Sequence, residues 1–174
     1  NAQLNFATFG PGSSPHFYGT LFQKATQVAA EPIAYKGSGD AAKDMLAGRI
    51  DYMFDSMTTA IANVKAEKLV ALAITSPQRS PLLPDVPTLK ELGYGAADVN
   101  FWLTLQVPAK TPPEMVAALR QAVSKAVQDP EYKHNVAARG VENLYVAPER
   151  LDAFFVSETK KWRDTALSIG IKPE

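Results

Sequence analysis

Three short segments rich in glycine, serine and charged residues could bind or transform a small molecule. The first, Gly10-Pro11-Gly12-Ser13-Ser14-Pro15-His16, directly follows the strand-like run 4–9 and precedes a helical pattern. Unbonded N–H groups at a helix start, with the positive end of the helix dipole, favour a carboxylate or phosphate. Glycines allow that anion to approach the backbone, and serine hydroxyls are further donors. The pattern therefore predicts an anion site formed by Gly10, Gly12, Ser13, Ser14 and His16; the alternative is a tight turn with a serine N-cap.

The other two segments also lie where a predicted strand passes into a predicted helix. They are Tyr35-Lys36-Gly37-Ser38-Gly39-Asp40 and Phe54-Asp55-Ser56-Met57-Thr58. Lys36 either neutralises an acidic ligand or lies on the surface, and Asp55 either hydrogen-bonds a ligand, holds water or caps the next helix. Because the first and third strands should be neighbours, we expect Asp55 and Ser56 to face the serines of the first segment across a crevice. The predicted ligand-binding set therefore also includes Lys36, Gly37, Asp55 and Ser56.

Several classes of chemistry lack the residues they require. Gly10 and Gly12 begin the dinucleotide pattern G-x-G-x-x-G, but Pro15 occupies its last position, and no G-x-x-x-x-G-K-[ST] occurs. No serine is framed as G-x-S-x-G, and the two histidines, His16 and His134, show no metal-ligand spacing. The chain contains no cysteine. We therefore expect no enzymatic activity, no catalytic residue, no metal and no cofactor.

Composition excludes further partners. The 174 residues carry 18 Lys+Arg and 18 Asp+Glu, and the basic residues are scattered, which argues against a nucleic-acid partner. The longest apolar stretch, 69–74, is much shorter than the roughly 20 residues of a transmembrane helix. The opening Asn-Ala-Gln-Leu-Asn has neither a basic nor an apolar signal region. We expect any signal peptide to have been removed, and the chain to be cut from something longer.

The elements that must position these segments alternate between strand and helix. Strands are predicted at 4–9, 32–35, 50–54 and 70–74, with helices beginning near His16, at Asp40 and at Thr58 or Thr59. This alternation predicts an α/β fold with a short, mainly parallel sheet flanked by helices. A proline-rich arm (76–88) and an apolar strand (99–107) follow. The remainder is helical, and its apolar stripes have little sheet to cover: Met115, Leu119, Val123, Phe155 and Trp162.

The order of several motifs resembles one known family. The motifs are Gly12-Ser13-Ser14-Pro15-His16, Tyr35-Lys36-Gly37, Gly48-Arg49-Ile50-Asp51 with Met53-Phe54-Asp55, Ala71-Leu72-Ala73-Ile74-Thr75, Arg79-Ser80-Pro81 with Leu83-Pro84-Asp85-Val86-Pro87-Thr88, and Pro108-Ala109-Lys110-Thr111-Pro112. Together they resemble the Bug-type (TctC-like) solute-binding proteins of tripartite tricarboxylate transporters, from one end of the chain to the other. Lys110, where the family usually has glycine, is a departure.

The resemblance implies a periplasmic receptor of the type II periplasmic-binding class, with two α/β lobes that grip a carboxylate between them. Residues 1–98 would form the second, ligand-binding lobe, residues 99–107 a crossing strand, and residues 108–174 the C-terminal helices of an incomplete first lobe. The receptor would pass a di- or tricarboxylate, an amino-acid-like acid or an aromatic acid to membrane permease subunits. It would have no catalytic role.

The incomplete first lobe leads to two further expectations. The uncovered helices should be covered by a complementing N-terminal fragment or by self-association, and one lobe alone should bind a carboxylate weakly.

Two other classes of function remain as alternatives. A ligand-sensing module of a signalling or regulatory system would need a DNA-binding or signalling domain, and an enzyme acting on small carboxylates would need a paired base and nucleophile.

Overall fold

The computed structural model describes residues 4–95, 102–141 and 145–171. Contacts between residues divide the chain into two compact units, Asn1–Phe101 with Ala166–Glu174, and Trp102–Thr165. None of the helices in the described part of the chain combines the length and the apolar character needed to cross a membrane.

A three-stranded parallel sheet organises the first unit. Its strands are β1 (Leu4–Thr8), β2 (Ala30–Ala34) and β3 (Tyr52–Met53), in the order β2-β1-β3. Each residue of β1 pairs with one of β2, from Leu4 with Ala30 to Thr8 with Ala34, and Phe6 also pairs with Tyr52. The predicted α/β class and the adjacency of the first and third strands are therefore confirmed.

One face of the sheet packs against α1 (Ser14–Thr26). Phe6 is completely buried, and its ring stacks on Tyr52 with centroids 5.4 Å apart. Phe22 of α1 meets the rings of Tyr52 and Phe54 edge-on, at 5.6 and 5.9 Å. Gly19 faces the Phe6 ring so closely that any side chain there would overlap it. This aromatic layer fixes the position of α1, and with it the turn that precedes the helix.

The opposite face of the sheet packs against α2 (Ser38–Leu46). Ala7 of β1, Ala41 of α2 and Ile50 form its buried centre, with Met45 and Met53 around them. The next helix, α3 (Met57–Lys65), begins after Ser56, its N-cap residue. Alternate residues of β1 thus contact different helices, as the period-two pattern of a strand buried on both faces requires.

The predicted fourth strand, Val70–Ile74, is wrong. Only Ile74 makes a bridge, a parallel one to Thr88, and its N–H donates to the Pro87 carbonyl at 2.9 Å. Val70 and Leu72 are 81% and 72% exposed. A strand exists only through pairing with another strand, and no described residue offers this segment a ladder.

The proline-rich segment after it has no regular element, as predicted, and side chains order it. Arg79 donates from Nε to both carboxylate oxygens of Glu91, each at 3.0 Å, and from a terminal nitrogen to the Pro84 carbonyl at 3.0 Å. The Thr88 N–H donates to Glu91 at 2.7 Å. This backbone hydrogen bond, followed by that from Arg79, lowers the pKa of Glu91.

The regular elements in the described part of the second unit are all helices. Its helices are α4 (Pro113–Gln128), α5 (Pro130–Ala137) and, after a 3-10 turn at Pro148–Arg150, α6 (Leu151–Ser168), which continues into the first unit. Trp102 packs edge-on against Phe154 and Phe155, and its Nε1–H donates to Glu158 at 2.8 Å. Trp102 therefore packs against α6.

The predicted strand 99–107 is wrong for its described part, and residues 99–101 lie outside the described residues. Residues 102–107 belong to no strand, and Leu103 and Leu105 are 84% and 69% exposed. Met115 and Leu119 of α4 are also exposed, and α4 has no buried residue. The expectation that the apolar stripe of α4 lacks a covering surface is confirmed within the described residues, because nothing there buries it.

Candidate functional site

Three strand-to-helix junctions lie at one edge of the sheet. All three strands are parallel, so the turns that lead into α1, α2 and α3 follow strand ends at the same, carboxyl edge. The chain moves from β1 to β2 on one side and later to β3 on the other side. Ligands of open α/β sheets bind at such a reversal of strand order. The region beyond the carboxyl ends of β1 and β3 is therefore the candidate site.

The turn between β1 and α1 is held together by Ser13. Its hydroxyl donates to the Gly10 carbonyl at 2.7 Å and accepts the Phe9 N–H at 3.1 Å. Its own N–H donates to the same Gly10 carbonyl at 3.2 Å. Ser13 is the N-cap residue of α1, but its side chain caps no helix amide. The hydroxyl predicted as a ligand donor thus has its proton engaged within the turn.

Two other amides of this turn are also bonded internally. The Gly10 N–H donates to Thr8 Oγ1 at 3.3 Å, and the Gly12 N–H donates to Nδ1 of His16 at 3.2 Å. Both glycines have a positive φ, +100° and +74°, in the region that favours glycine over other residues. The turn is therefore closed by its own hydrogen bonds, and the amides of residues 9, 10, 12 and 13 are used.

What remains for a ligand is the first turn of α1 itself. The N–H groups of Ser14 and His16 donate to no described residue, and Pro15 between them has no N–H. The helix has no acidic residue in its first turn, so no carboxylate of its own opposes the positive end of its dipole. Two backbone donors, with the Ser14 hydroxyl beside them, can hold one carboxylate group.

Asp55 connects the other two junctions. Its Oδ1 accepts from Ser38 Oγ at 2.6 Å, from Thr59 Oγ1 at 2.6 Å and from the Ser56 N–H at 2.8 Å. The Ser56 hydroxyl lies 2.8 Å from Thr58 Oγ1 and 2.9 Å from that of Thr59. Since β1 lies between β2 and β3, the Ser38–Asp55 bond joins the start of α2 to the end of β3 past the end of the central strand.

Lys36 and Gly37 lie at the second junction. Lys36 is exposed and forms no ion pair with the described residues. Gly37 is the N-cap of α2, with φ 170°, an extended conformation open to any residue. A Cβ there would meet no atom within 4 Å. The structure thus brings all three predicted segments to one edge without showing a requirement for glycine at position 37.

Sequence reasoning missed the residues that orient the site. Thr8 accepts the Gly10 N–H through its side chain and the Tyr35 N–H, at 2.8 Å, through its carbonyl. Ser38 and Thr59 orient Asp55. The sequence held only a weak signal for these three residues. Each has a hydroxyl group and lies near a glycine- or serine-containing turn, where such side chains commonly hydrogen-bond to neighbouring backbone and side-chain groups.

Replacing Asp55 with alanine is expected to lower the free energy of unfolding by about 1–3 kcal/mol, because three donors at the starts of α2 and α3 lose one charged acceptor. Urea unfolding followed by circular dichroism measures the change. Asp85→Ala is the matched control, since Asp85 is exposed and bonded to no described residue; its change should stay within about 0.5 kcal/mol. Equal effects of the two substitutions would contradict the bridging role.

Comparison with known proteins identifies the family. Residues 1–171 match the family described as the tripartite tricarboxylate transporter family receptor, TctC. Among curated relatives, the protein BugT of Bordetella pertussis is 31% identical over 170 residues, which are 98% of this chain and 52% of BugT. The chain thus spans about half the length of most of the curated relatives it matches.

Solved structures support the same assignment. The periplasmic binding protein BugD matches with a TM-score of 0.90 and 30% identity over 100% of this chain and 59% of its own. MatC from Rhodopseudomonas palustris with bound malate matches with a TM-score of 0.82 and 30% identity, over 93% and 56% of the two chains. The R. palustris protein Rpa4515 with adipate matches with a TM-score of 0.90 and 26% identity, over 98% of this chain and 57% of its own. The predicted fold, similar to periplasmic binding proteins, is confirmed, and the chain belongs to the TctC family of tripartite tricarboxylate transporter receptors.

Proposed function

We propose that this chain captures a small organic carboxylate as the receptor component of a tripartite tricarboxylate-type transporter. The observation that carries the proposal is the pair of amides at Ser14 and His16, which have no acceptor among the described residues at the start of α1. Two structural neighbours were solved with dicarboxylates, MatC with bound malate and Rpa4515 with adipate. A carboxylate is the group that such an uncapped helix start favours.

The binding mode follows from which groups of the turn are free. One carboxylate oxygen accepts from the Ser14 N–H and the other from the His16 N–H, while the bonds made by Ser13 keep the turn in place. Asp55 has one oxygen, Oδ2, that accepts from no described residue. It therefore receives a hydroxyl or ammonium group of the ligand, and it disfavours a second ligand carboxylate in the same position.

The proposal assigns the part of the chain with an uncovered apolar surface to a second lobe, distinct from the ligand-binding lobe. Residues 1–98 form the ligand-binding lobe, residues 99–107 the crossing segment, and residues 108–174 the helical part of a lobe that is incomplete here. Leu103, Leu105 and Met115 are exposed in the described part of the chain. They are covered by polypeptide equivalent to the portion of the relatives that this chain does not match, or by a second copy of the chain.

The same proposal places the protein in the periplasm, where it hands its ligand to the membrane permease subunits of the transporter. The receptor itself performs no chemistry. Closure of two lobes around the ligand would tighten binding, so one lobe alone should bind weakly, with a Kd on the order of 1 mM.

A thermal-shift and turnover screen tests this function. The chain is heated with dicarboxylates (malate, adipate), with a tricarboxylate and with an aromatic acid, and each mixture is then examined for chemical conversion. The proposal expects a rise in Tm at ligand concentrations of several millimolar, with every ligand recovered unchanged. Conversion of any of these acids would contradict a receptor role, as would the absence of any shift at saturating concentrations.

A further inference from the structure

One hydrogen bond of the β1–α1 turn determines which ring nitrogen of a neutral histidine carries the proton. His16 is the third residue of α1, and its Nδ1 accepts the Gly12 N–H at 3.2 Å. A backbone N–H can only donate, so Nδ1 must carry a lone pair. The proton of the neutral ring is therefore on Nε2, which forms no hydrogen bond with any described residue.

This contact holds a part of the turn that nothing else described holds. Ser13 ties the ends of the turn together through Phe9 and Gly10. Pro11 has no N–H, and the Gly12 N–H bonds only to His16. A Cβ added at Gly12 would meet no atom within 4 Å, so packing does not restrain this residue. The imidazole is thus the link between the middle of the turn and the helix.

We infer that His16 is a positioning residue for the carboxylate site: its Nδ1 fixes Gly12, and this keeps the turn closed beside the free Ser14 and His16 amides. The inference rests on the proposed function where it concerns the ligand, but not where it concerns the turn. Without the acceptor, the Gly12 N–H and the chain around it would have to bond to water or to the ligand. A turn that is not held in this way must be ordered on binding, and this ordering costs affinity.

Three substitutions at position 16 test this role, because they differ in whether, and where, the side chain presents a hydrogen-bond acceptor. Asparagine at position 16 puts Oδ1 where Nδ1 was, whereas glutamine places its amide near the Nε2 position, and phenylalanine keeps the ring shape without an acceptor. In the free chain, we expect amide exchange of Gly12 to rise about fivefold or more in His16→Gln and His16→Phe, and to stay within about twofold in His16→Asn. Affinity for malate should follow the same order, with about a five- to tenfold loss in the first two variants.

Nitrogen NMR of the imidazole rings provides the direct readout. We expect the wild-type His16 ring to show a protonated Nε2 and an unprotonated Nδ1, and His134→Gln, which changes the exposed histidine of α5, to leave that signature and Gly12 exchange unaltered. A proton on Nδ1 of the wild type would overturn the inference. So would equal Gly12 amide exchange in all three His16 variants, or an order of malate affinities that differs from the order of Gly12 exchange rates. If the wild type shows the expected tautomer and exchange pattern but binds neither malate nor adipate, the proposed function fails while the role of His16 in the turn stands.

Discussion

Gly19→Ala is expected to lower the free energy of unfolding by about 3 kcal/mol, although alanine favours a helix over glycine by about 1 kcal/mol. A Cβ at Gly19 would lie within 2.7 Å of three carbons of the Phe6 ring. That ring is fully buried and stacked on Tyr52, so it cannot move aside without opening the aromatic layer. Urea unfolding followed by circular dichroism measures the loss.

A second helical glycine provides the control for this substitution. Gly39 lies in α2, and a Cβ there would meet no atom within 4 Å. Gly39→Ala should therefore leave stability unchanged or raise it by up to about 1 kcal/mol. Equal stability of the Gly19→Ala variant and the wild type would show that α1 does not pack against Phe6 in this way. The position of the turn before α1 would then lose its support.

Ser14→Pro is expected to weaken carboxylate binding by at least tenfold, and by up to about 100-fold, because it removes one of the two free amides. The substitution suits the local backbone. Position 14 is the first residue of α1, where proline is favoured, and Ser13 before it has φ −70° and ψ 155°, as a residue preceding proline requires. Titration with malate, followed by NMR, measures the change.

The control separates the amide of Ser14 from its hydroxyl. Ser14→Ala removes only the hydroxyl and should reduce affinity by less than about tenfold. If Ser14→Pro stays folded and binds malate as tightly as Ser14→Ala, the amide of Ser14 takes no part in binding. The binding mode proposed for the helix start would then be wrong.

Elements that depend on local signals were predictable from the sequence. The alternation of β1, α1, β2, α2, β3 and α3 follows from the apolar periodicity and from the glycine and serine turns between them. The helix starts at Pro113, Pro130 and Pro148 follow from proline's preference for the first turn of a helix. In each case, the information lies within a few residues of the element.

Elements that need a distant partner were not predictable. The segments 70–74 and 102–107 have the apolar, β-branched composition of strands, yet a strand requires hydrogen bonds from another strand. The described residues provide neither segment with a ladder, and Val70, Leu72, Leu103 and Leu105 are exposed as a result. The composition of a segment indicates that it could form a strand. Whether it does so depends on a partner strand elsewhere in the fold.

The candidate site shows the same division between local and distant information. Its location was predictable, because strand ends in a parallel sheet share one edge. Which of its donors are free was not, since this depends on hydrogen bonds such as that of Ser13 with Gly10 and that of His16 with Gly12. The partner of Ser38, Asp55, lies 17 residues away and past the end of another strand, and no local pattern indicates that contact.

The most direct measurement of the central claim follows the backbone amides of the labelled chain while malate is added. If the start of α1 binds a carboxylate, the amide resonances of Ser14 and His16 will shift most and will saturate together. Should both remain in place while the chain is folded and malate is in excess, or should the largest shifts lie elsewhere, the claim is contradicted.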